Sequence, residues 1–469
     1  MPADHSDLRR LARRIFTETV EEMDVARAVR RAVSFDDGRL RICDAEFDDG
    51  ARPLDVYSVA LGKAAAPMAA ALDETLGERL RGGVVSAPPL ASPLSSRWQV
   101  FVGGHPLPNA ASLQAARAAF DLLRRADEAA ARGARQPLVV FLVSGGGSAM
   151  LESPHDTGVT LEDLRALNGT LVACGARVAE VNAVRRAVSA VKGGGLSRAA
   201  RRAAQVTLII SDVNDGDAHA VASGPTFPTD DEANARAASG VIARYDLAGR
   251  LPASILRAVE GTRATNARED EINNETGETG ADKSAVRRHF VLLDNARAVE
   301  RAARVARAHG FAVEAAGDLV EQTVEEGARL LVSRLLEVRG QVGASGGGVC
   351  LVSGGEFACP VRGSGVGGRN SETVLRCALE LDARELGSLE VSPRVVVLSA
   401  GTDGIDGNSA AAGALCDETT VARALSLGLD ARKFLEASDT YSFFNALGDT
   451  VMTGATGTNV RDLRVLLSR

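Results

Sequence analysis

Lysine is nearly missing from this chain. Lys63, Lys192, Lys283 and Lys433 are the only four among 54 basic residues, so almost all the positive charge is arginine. Aromatic residues are also sparse, with one tryptophan, Trp98, and three tyrosines in 469 residues. That leaves no aromatic platform on which single-stranded nucleic acid could stack. The formal net charge of −7 points the same way, because a general nucleic-acid binder carries a basic surface. No run of about eighteen apolar residues occurs, and the opening MPADHSDLRRLARRIF has no signal-like apolar core. Membrane and secretory roles are therefore not expected. The six cysteines (43, 174, 350, 359, 377 and 416) lack metal-type spacing and read as reduced thiols of a cytosolic protein. Three catalytic markers are missing as well: H-E-x-x-H, the G-x-S-x-G elbow and the Walker A loop, since Gly62-Lys63 is followed by Ala64.

What is present is the grammar of an α/β protein. A chain of this length predicts more than one hydrophobic core. The first thirty-five residues read as helix, and VYSVALGKAAAPMAAAL passes from a strand into a helix near Lys63. Asn109 is placed to cap a helix carrying Leu113, Ala116, Phe120 and Leu123. LVVFLV at 138–143 and VTLII at 206–210 are continuously apolar, as strands covered on both faces should be, with helical sequence through 161–201 between them. This alternation predicts a mostly parallel sheet with helices on both faces, and the recurrence of Ser-Gly-Gly after a strand is either two similar α/β domains or the same solution reached twice. The expected boundaries are 1–260, a polar loop or linker at 261–286, and 287–469.

Two glycine clusters follow apolar runs. VSGGGSAM supplies Ser144, Gly145, Gly146, Gly147 and Ser148, and VSGGEFACPVRGSGVGGRNSE supplies Gly354, Gly355, Glu356 and Gly368. Bare backbone at a strand end lets several N–H groups approach an anion, with the following helix adding its positive end. Tight packing explains either cluster alone; the pair favours anion binding. Gly363, Gly365 and Gly368 match G-x-G-x-x-G, but they do not follow directly on a clear strand and no acid is convincingly placed about twenty residues on.

Carboxylates and cations complete the pattern. Asp212, Asp215 and Asp217 follow one apolar strand, and Asp403 and Asp406 follow another. Such acids suit Mg²⁺ bridging phosphate oxygens, or proton transfer from a hydroxyl, although an Asx-turn explains any one of them. Lys63, Arg369, and the stretch NAVRRAVSAVKGG with Asn182, Arg185, Arg186 and Lys192 are candidates for holding a carboxylate or phosphoryl group. His105, in GGHPLP, either meets substrate or braces its proline turn.

Taken in order, ALGKAAAPM, GGHPLPNAAS, VSGGGSAML, LRALNGTLVACGARVAEVNAVRRAVSAVKGGGL, ISDVNDGDAHAVASGPT, VSGGEFACPVRGSGVGGRNSE, LSAGTDGIDGNSAAAGA and DTYSFFNALGDTVMTGATGTNVRDLRVLL resemble the glycerate 2-kinase family, whose carboxyl-terminal part is the MOFRL domain. The resemblance runs from about residue 57 to 467. It implies ATP-dependent phosphorylation of D-glycerate at the 2-hydroxyl, a divalent metal such as Mg²⁺, and an active site in a cleft between two α/β domains with Rossmann-like, mostly parallel sheets. A homodimer is a further expectation. Carried onto this chain, the important cations are Lys63 and Arg369, and the acids are Asp212, Glu356 and Asp403, with Asn459 of the GTN motif also facing the site. Asp212 and Asp403 are the metal candidates. Asn214 stands where the family usually has proline, Asn109 where it has aspartate, and Asp439-Thr440-Tyr441 departs from an Asn-Asp-Ser-Tyr type segment. Two other classes stay open at this point: a hydroxypyruvate reductase, which needs a nicotinamide site, and a non-catalytic binder of sugar acids or nucleotides.

Overall fold

The structure, a computed structural model, describes residues 5–50, 52–261, 286–342, 347–384 and 393–469. Apart from its two end residues, the polar 261–286 segment lies outside the described residues. The chain packs as two compact units: one comprises Val25–Ser211 and Gly216–Leu292, the other the described residues up to Asp24 with Asp212–Asp215 and Leu293–Arg469.

In the first unit, β1 (Val33–Asp36), β2 (Arg39–Ile42) and β3 (Ala45–Asp48) form an antiparallel meander. The main sheet has six strands, β4 (Leu54–Leu61), β5 (Leu80–Ala87), β6 (Trp98–Val102), β7 (Gln136–Ser144), β8 (Ala204–Ile210) and β9 (Arg287–Leu293), in the order β6-β5-β4-β7-β8-β9. The β4–β5, β4–β7, β5–β6 and β7–β8 pairings are all parallel. Val59 lies opposite both Val84 and Phe141, so the apolar strands are in register at the centre. β7 is buried over all but its first residue, which is why its sequence is a continuous apolar run rather than an alternation. Helices Ala65–Leu76 and Ala110–Arg132 pack on this sheet. Asn109 caps the second as expected: its Oδ1 accepts the Ser112 amide at 2.9 Å, and Ser112 Oγ accepts the Asn109 amide at 3.2 Å. The helical sequence at 161–201 breaks into Leu161–Ala173, Val178–Val188 and Gly195–Ala199.

The second unit departs from the parallel pattern. Its sheet runs β10 (Ala312–Ala315), β11 (Val349–Ser353), β15 (Asp462–Ser468), β12 (Val395–Gly401), β13 (Gly413–Asp417) and β14 (Thr450–Val451) in spatial order. Only β10–β11 is parallel; the other four pairings are antiparallel. The reason is the chain's last strand. β15 inserts between β11 and β12 and runs against both, while β12 and β13 form a hairpin-like pair. The sheet is mixed, and it is buried on both faces. Val349, Leu351, Val395, Val397 and Leu466 enter one core, whereas Cys350, Val352, Val396, Leu398, Val465 and Leu467 enter another. This is the two-residue period of a strand applied to opposite faces.

The second of those cores explains why the units cross the boundary expected near residue 260. Leu8, Ala12, Ile15 and Phe16 of the helix His5–Glu22 lie in it beside Ala302, Val305 and Ala306 of the helix Asn295–Ala308. The opening helical sequence therefore divides after Glu22. Its first part belongs with the carboxyl-terminal sheet, and Val25–Ala32 starts the other unit.

Candidate active site

The first glycine cluster is the turn after β7, and Lys63 follows the neighbouring strand β4. Their strand ends touch through the main chain. Lys63 N donates to Gly145 O at 2.8 Å, and Ala64 N donates to Ser144 Oγ at 3.0 Å. Gly62 makes this approach possible, because its φ is +111° and a Cβ there would lie 2.4 Å from Ser144 O. The Lys63 side chain and the His105 ring both lie over Gly146, where an added Cβ would be 3.3 Å from Lys63 Cγ and 3.0 Å from His105 Cδ2. Arg185 is half-buried, and its Nε donates to Asn168 Oδ1 at 2.8 Å. Desolvation, then the charges of Lys63 and Arg185, push the His105 imidazole below its ordinary value. Cationic groups thus gather at a turn of bare backbone, which is the environment a small anion needs. The helix that follows, Gly147–Met150, is a single turn, much shorter than the long helical stretch expected after the glycines.

Other candidates of this unit stand farther back. Ser148 Oγ lies 2.9 Å from Ser223 Oγ, which donates to Asn182 Oδ1 at 2.8 Å. Asn182 is buried and acts by holding this pair of hydroxyls. Lys192 corrects the sequence expectation. It is 1% exposed and forms an ion pair with the buried carboxylate of Glu152, with Ser189 Oγ also bonded to Glu152. Burial pushes the ammonium below its ordinary value, and Glu152 opposes that shift. A charge so enclosed must be paired inside the protein, which removes Lys192 from the surface that meets substrate.

The second unit gathers a different set. Arg369 opens the helix Arg369–Ala383; its Nε donates to Asp462 Oδ2 and its Nη2 to Glu356 Oε1, each at 2.6 Å. Burial works against the guanidinium charge, but Asp462 and then Glu356 outweigh it and hold its pKa above the ordinary value. Glu356 moves up instead: burial raises it, Arg369 opposes, and Asp462 and Asp212 add to the rise. Asn370 Nδ2 donates to Asp462 Oδ1 at 2.9 Å, so Asp462 is fixed from two directions. Asp406 caps the helix, accepting the Asn370 and Ser371 amides at 2.9 Å and Ser371 Oγ at 2.6 Å. It is 1% exposed and both its carboxylate oxygens accept from the first turn of this helix, so the structure makes it a helix cap. Asp403 accepts the Ile405 amide at 3.1 Å in an Asx-type turn, and Asn459 Oδ1 accepts the Arg461 amide at 3.3 Å.

The Gly354-Gly355 pair is close-packed. A Cβ on Gly354 would lie 1.8 Å from Asn295 Oδ1, and one on Gly355, whose φ is +79°, 2.4 Å from Val320 O. The Gly355 amide donates to Asn295 Oδ1 at 2.8 Å, and Arg464 donates to the carbonyls of both glycines. Their main chain is thus committed within the protein. Gly368 is similarly close to Asp406, at 2.4 Å from a built Cβ. Asp462, Arg464 and Asn370 were not singled out from the sequence. A signal existed: VRDLRVLL places an acid and two arginines where an otherwise apolar strand begins and runs. Among the described residues, no three His, Cys, Asp or Glu side chains form a metal-holding group.

The fold and these clusters define an α/β protein with cationic side chains at one glycine turn and carboxylates set against an arginine at the other cluster. Residues 349–462 match the MOFRL family, and residues 11–260 match a family described as a domain of unknown function, DUF4147. A glycerate 2-kinase of Pyrococcus horikoshii is 30% identical over 98% of this chain and 97% of its own length. A human glycerate kinase is 34% identical over 98% of this chain and 92% of its own length. A protein of Agrobacterium vitis named provisionally as a hydroxypyruvate reductase is 37% identical over 87% of this chain and 86% of its own length. The crystal structure of a Thermotoga maritima glycerate kinase superposes with a TM-score of 0.77 at 28% identity, covering 98% of this chain and 99% of that one. The chain belongs to the glycerate 2-kinase family.

Proposed function

We propose that this protein transfers the γ-phosphoryl group of ATP to the 2-hydroxyl of D-glycerate, giving 2-phosphoglycerate and ADP. The observation that carries the reading is Arg369, a fork of donors held in place by Asp462 and Glu356. Phosphoryl transfer asks the protein mainly for positioning and for charge that is already oriented. Lys63 is a compact charge beside a turn of bare backbone, suited to a carboxylate or a phosphoryl oxygen. In the reaction an O–P bond forms at the glycerate 2-oxygen and the bond from Pγ to the ADP oxygen breaks. The hydroxyl proton passes to a carboxylate, and Glu356, with its raised affinity for protons, is suited to take it. Mg²⁺, when bound, neutralises phosphate charge. An ion held by one or two carboxylates and by the nucleotide itself needs no three-residue protein cage, and Asp212 and Asp403 are the proposed holders. The six free cysteines suit a reducing compartment, and we place the enzyme in the cytoplasm.

The reductase reading has lost its sequence feature. Gly363 and Gly365 lie in a loop packed against Ala437 and Asp439, where built Cβ atoms would come within 2.4 Å, and no strand leads into it. Incubation with ATP, Mg²⁺ and D-glycerate, followed by phosphorus NMR, tests the proposal; the 2-phosphate resonance is expected. Intact ATP, together with NADH oxidation on adding hydroxypyruvate, would sink it.

A further inference from the structure

A cavity of about 610 Å³ opens in the second unit, within the range of small-molecule sites. One wall is a single face of the helix Asn295–Ala308, where Ala296, Val299 and Ala303 recur at spacings of three and four. Segment 315–320 supplies Ala315, Gly317 and Val320. Small apolar side chains on both sides leave a slot with room for a planar group. Polar side chains mark its rim: Asp215 and Glu300 offer acceptors, and Arg307 a donor. The backbone of Gly354 and Gly355 also lines it, immediately before Glu356.

Arg461 gives the cavity a charge to satisfy. It lines the space, is 8% exposed, and adopts a φ of +70° that few side chains tolerate. Its Nη1 bonds Asn214 Oδ1, and its Nη2 is 3.8 Å from the exposed Glu321 carboxylate. Its buried Nε meets no acceptor among the described residues. A buried guanidinium with an unused donor can take up an anion beyond its pairing with Glu321 and the charge of Glu356. The next residue, Asp462, is the one that holds Arg369. An apolar slot, hydroxyl- and amine-binding groups at its rim, and an anion-seeking arginine leading to Arg369 match the parts of a nucleotide in order.

We propose that this cavity seats the base and ribose of the phosphoryl donor, and that Arg461 meets its phosphate chain. The proposal rests on the kinase reading and adds where the donor binds. Ala296 is exposed at the helix start, so Ala296→Trp blocks the slot without disturbing the core. Binding of ADP and of adenosine to the full-length protein is measured by saturation-transfer NMR, which registers weak ligands, alongside KM for ATP and for D-glycerate. Ala296→Trp is expected to weaken both ligands by at least about tenfold and to raise KM for ATP only. Arg461→Gln is expected to weaken ADP by about tenfold while leaving adenosine unchanged, with part of the loss recovered in Arg461→Lys. A merely structural arginine would not separate the two ligands. Wild-type turnover with unchanged ATP parameters in Ala296→Trp overturns the cavity assignment and leaves the kinase reading intact. Equal loss of ADP and adenosine in Arg461→Gln overturns the role given to Arg461. Adenosine and ADP binding that Ala296→Trp abolishes, in a protein that does not phosphorylate D-glycerate, upholds the cavity and removes the kinase reading.

Discussion

Lys63, Arg185 and His105 are coupled through charge, and that coupling can be read one residue at a time. The imidazole is held below its ordinary value of 6.5 by desolvation, then by Lys63 and Arg185. His105 is therefore neutral at pH 7, able to accept a proton or hydrogen bond but adding no third charge to the cluster. Removing a neighbouring cation relieves the repulsion. In Lys63→Met, the His105 titration followed by NMR should move upward; a midpoint that stays in place would show that the two side chains do not interact. At the other cluster, Arg369→Lys keeps the charge but loses the fork that bonds Asp462 and Glu356 together. A fall in kcat of roughly a hundredfold is expected, with a much smaller change in KM for D-glycerate. Steady-state kinetics on the two proteins decide it, and a change confined to KM would assign Arg369 to ground-state binding alone.

At the scale of elements, legibility followed the range of the interactions. β7 and its glycine turn could be seen in LVVFLVSGGG because burial on both faces and close backbone approach are written locally. Asn109 was equally visible, since a cap acts within three residues. Lys192 was misplaced because its partner Glu152 is forty positions away and nothing local marks the pair. Asp406 looked like part of an acid cluster, yet its partners are Asn370 and Ser371, on a helix distant in sequence. The central antiparallel β15 was hidden for a related reason: insertion of a last strand between two earlier ones leaves no mark on its own apolar pattern. The opening helix shows the same long reach. Arg9 bonds both Asp417 and Asp449, whose side chains are each 3% exposed, and Arg423 Nη2 donates to Asp449 Oδ2 at 2.6 Å. Burial alone would raise the Asp417 carboxyl, but bonds from Thr419 and Arg9 and the arginine charge hold it below its ordinary 3.8. A depressed carboxyl contributes stability that is complete above the unfolded value and is lost as pH falls through the folded one. Arg9→Ala should therefore cost about 2–3 kcal/mol near neutrality, and that difference should shrink only below about pH 4. Denaturant melts of both proteins across pH 3 to 8 would show it; a difference that peaks in acid contradicts the pairing.

The whole molecule makes the strongest demand on that helix. The sheet of the second unit has two buried faces, and one is covered by Leu8, Ala12, Ile15 and Phe16 together with the helix Asn295–Ala308. These four residues precede a unit, Val25–Ser211 with Gly216–Leu292, to which they do not belong, so the division into units and the division of the sequence are different things. A chain cut to begin at Val25 would keep every residue of both candidate clusters and still expose part of one side of the sheet that positions Arg369. Each large apolar side chain lost from such a core is worth about 1.5–3 kcal/mol, and Leu8, Ile15 and Phe16 together approach the whole margin of a typical domain. The truncated protein should aggregate or bind a hydrophobic dye, with phosphorylation of D-glycerate lost. Adding residues 1–24 back as a separate peptide should recover part of the soluble fraction, because the contact is made by packing and by Arg9 rather than by chain continuity. A truncated protein that stays soluble, melts where the parent melts and turns over at the parent rate would mean that the helix merely lies on the sheet, and that the second unit closes its core without it.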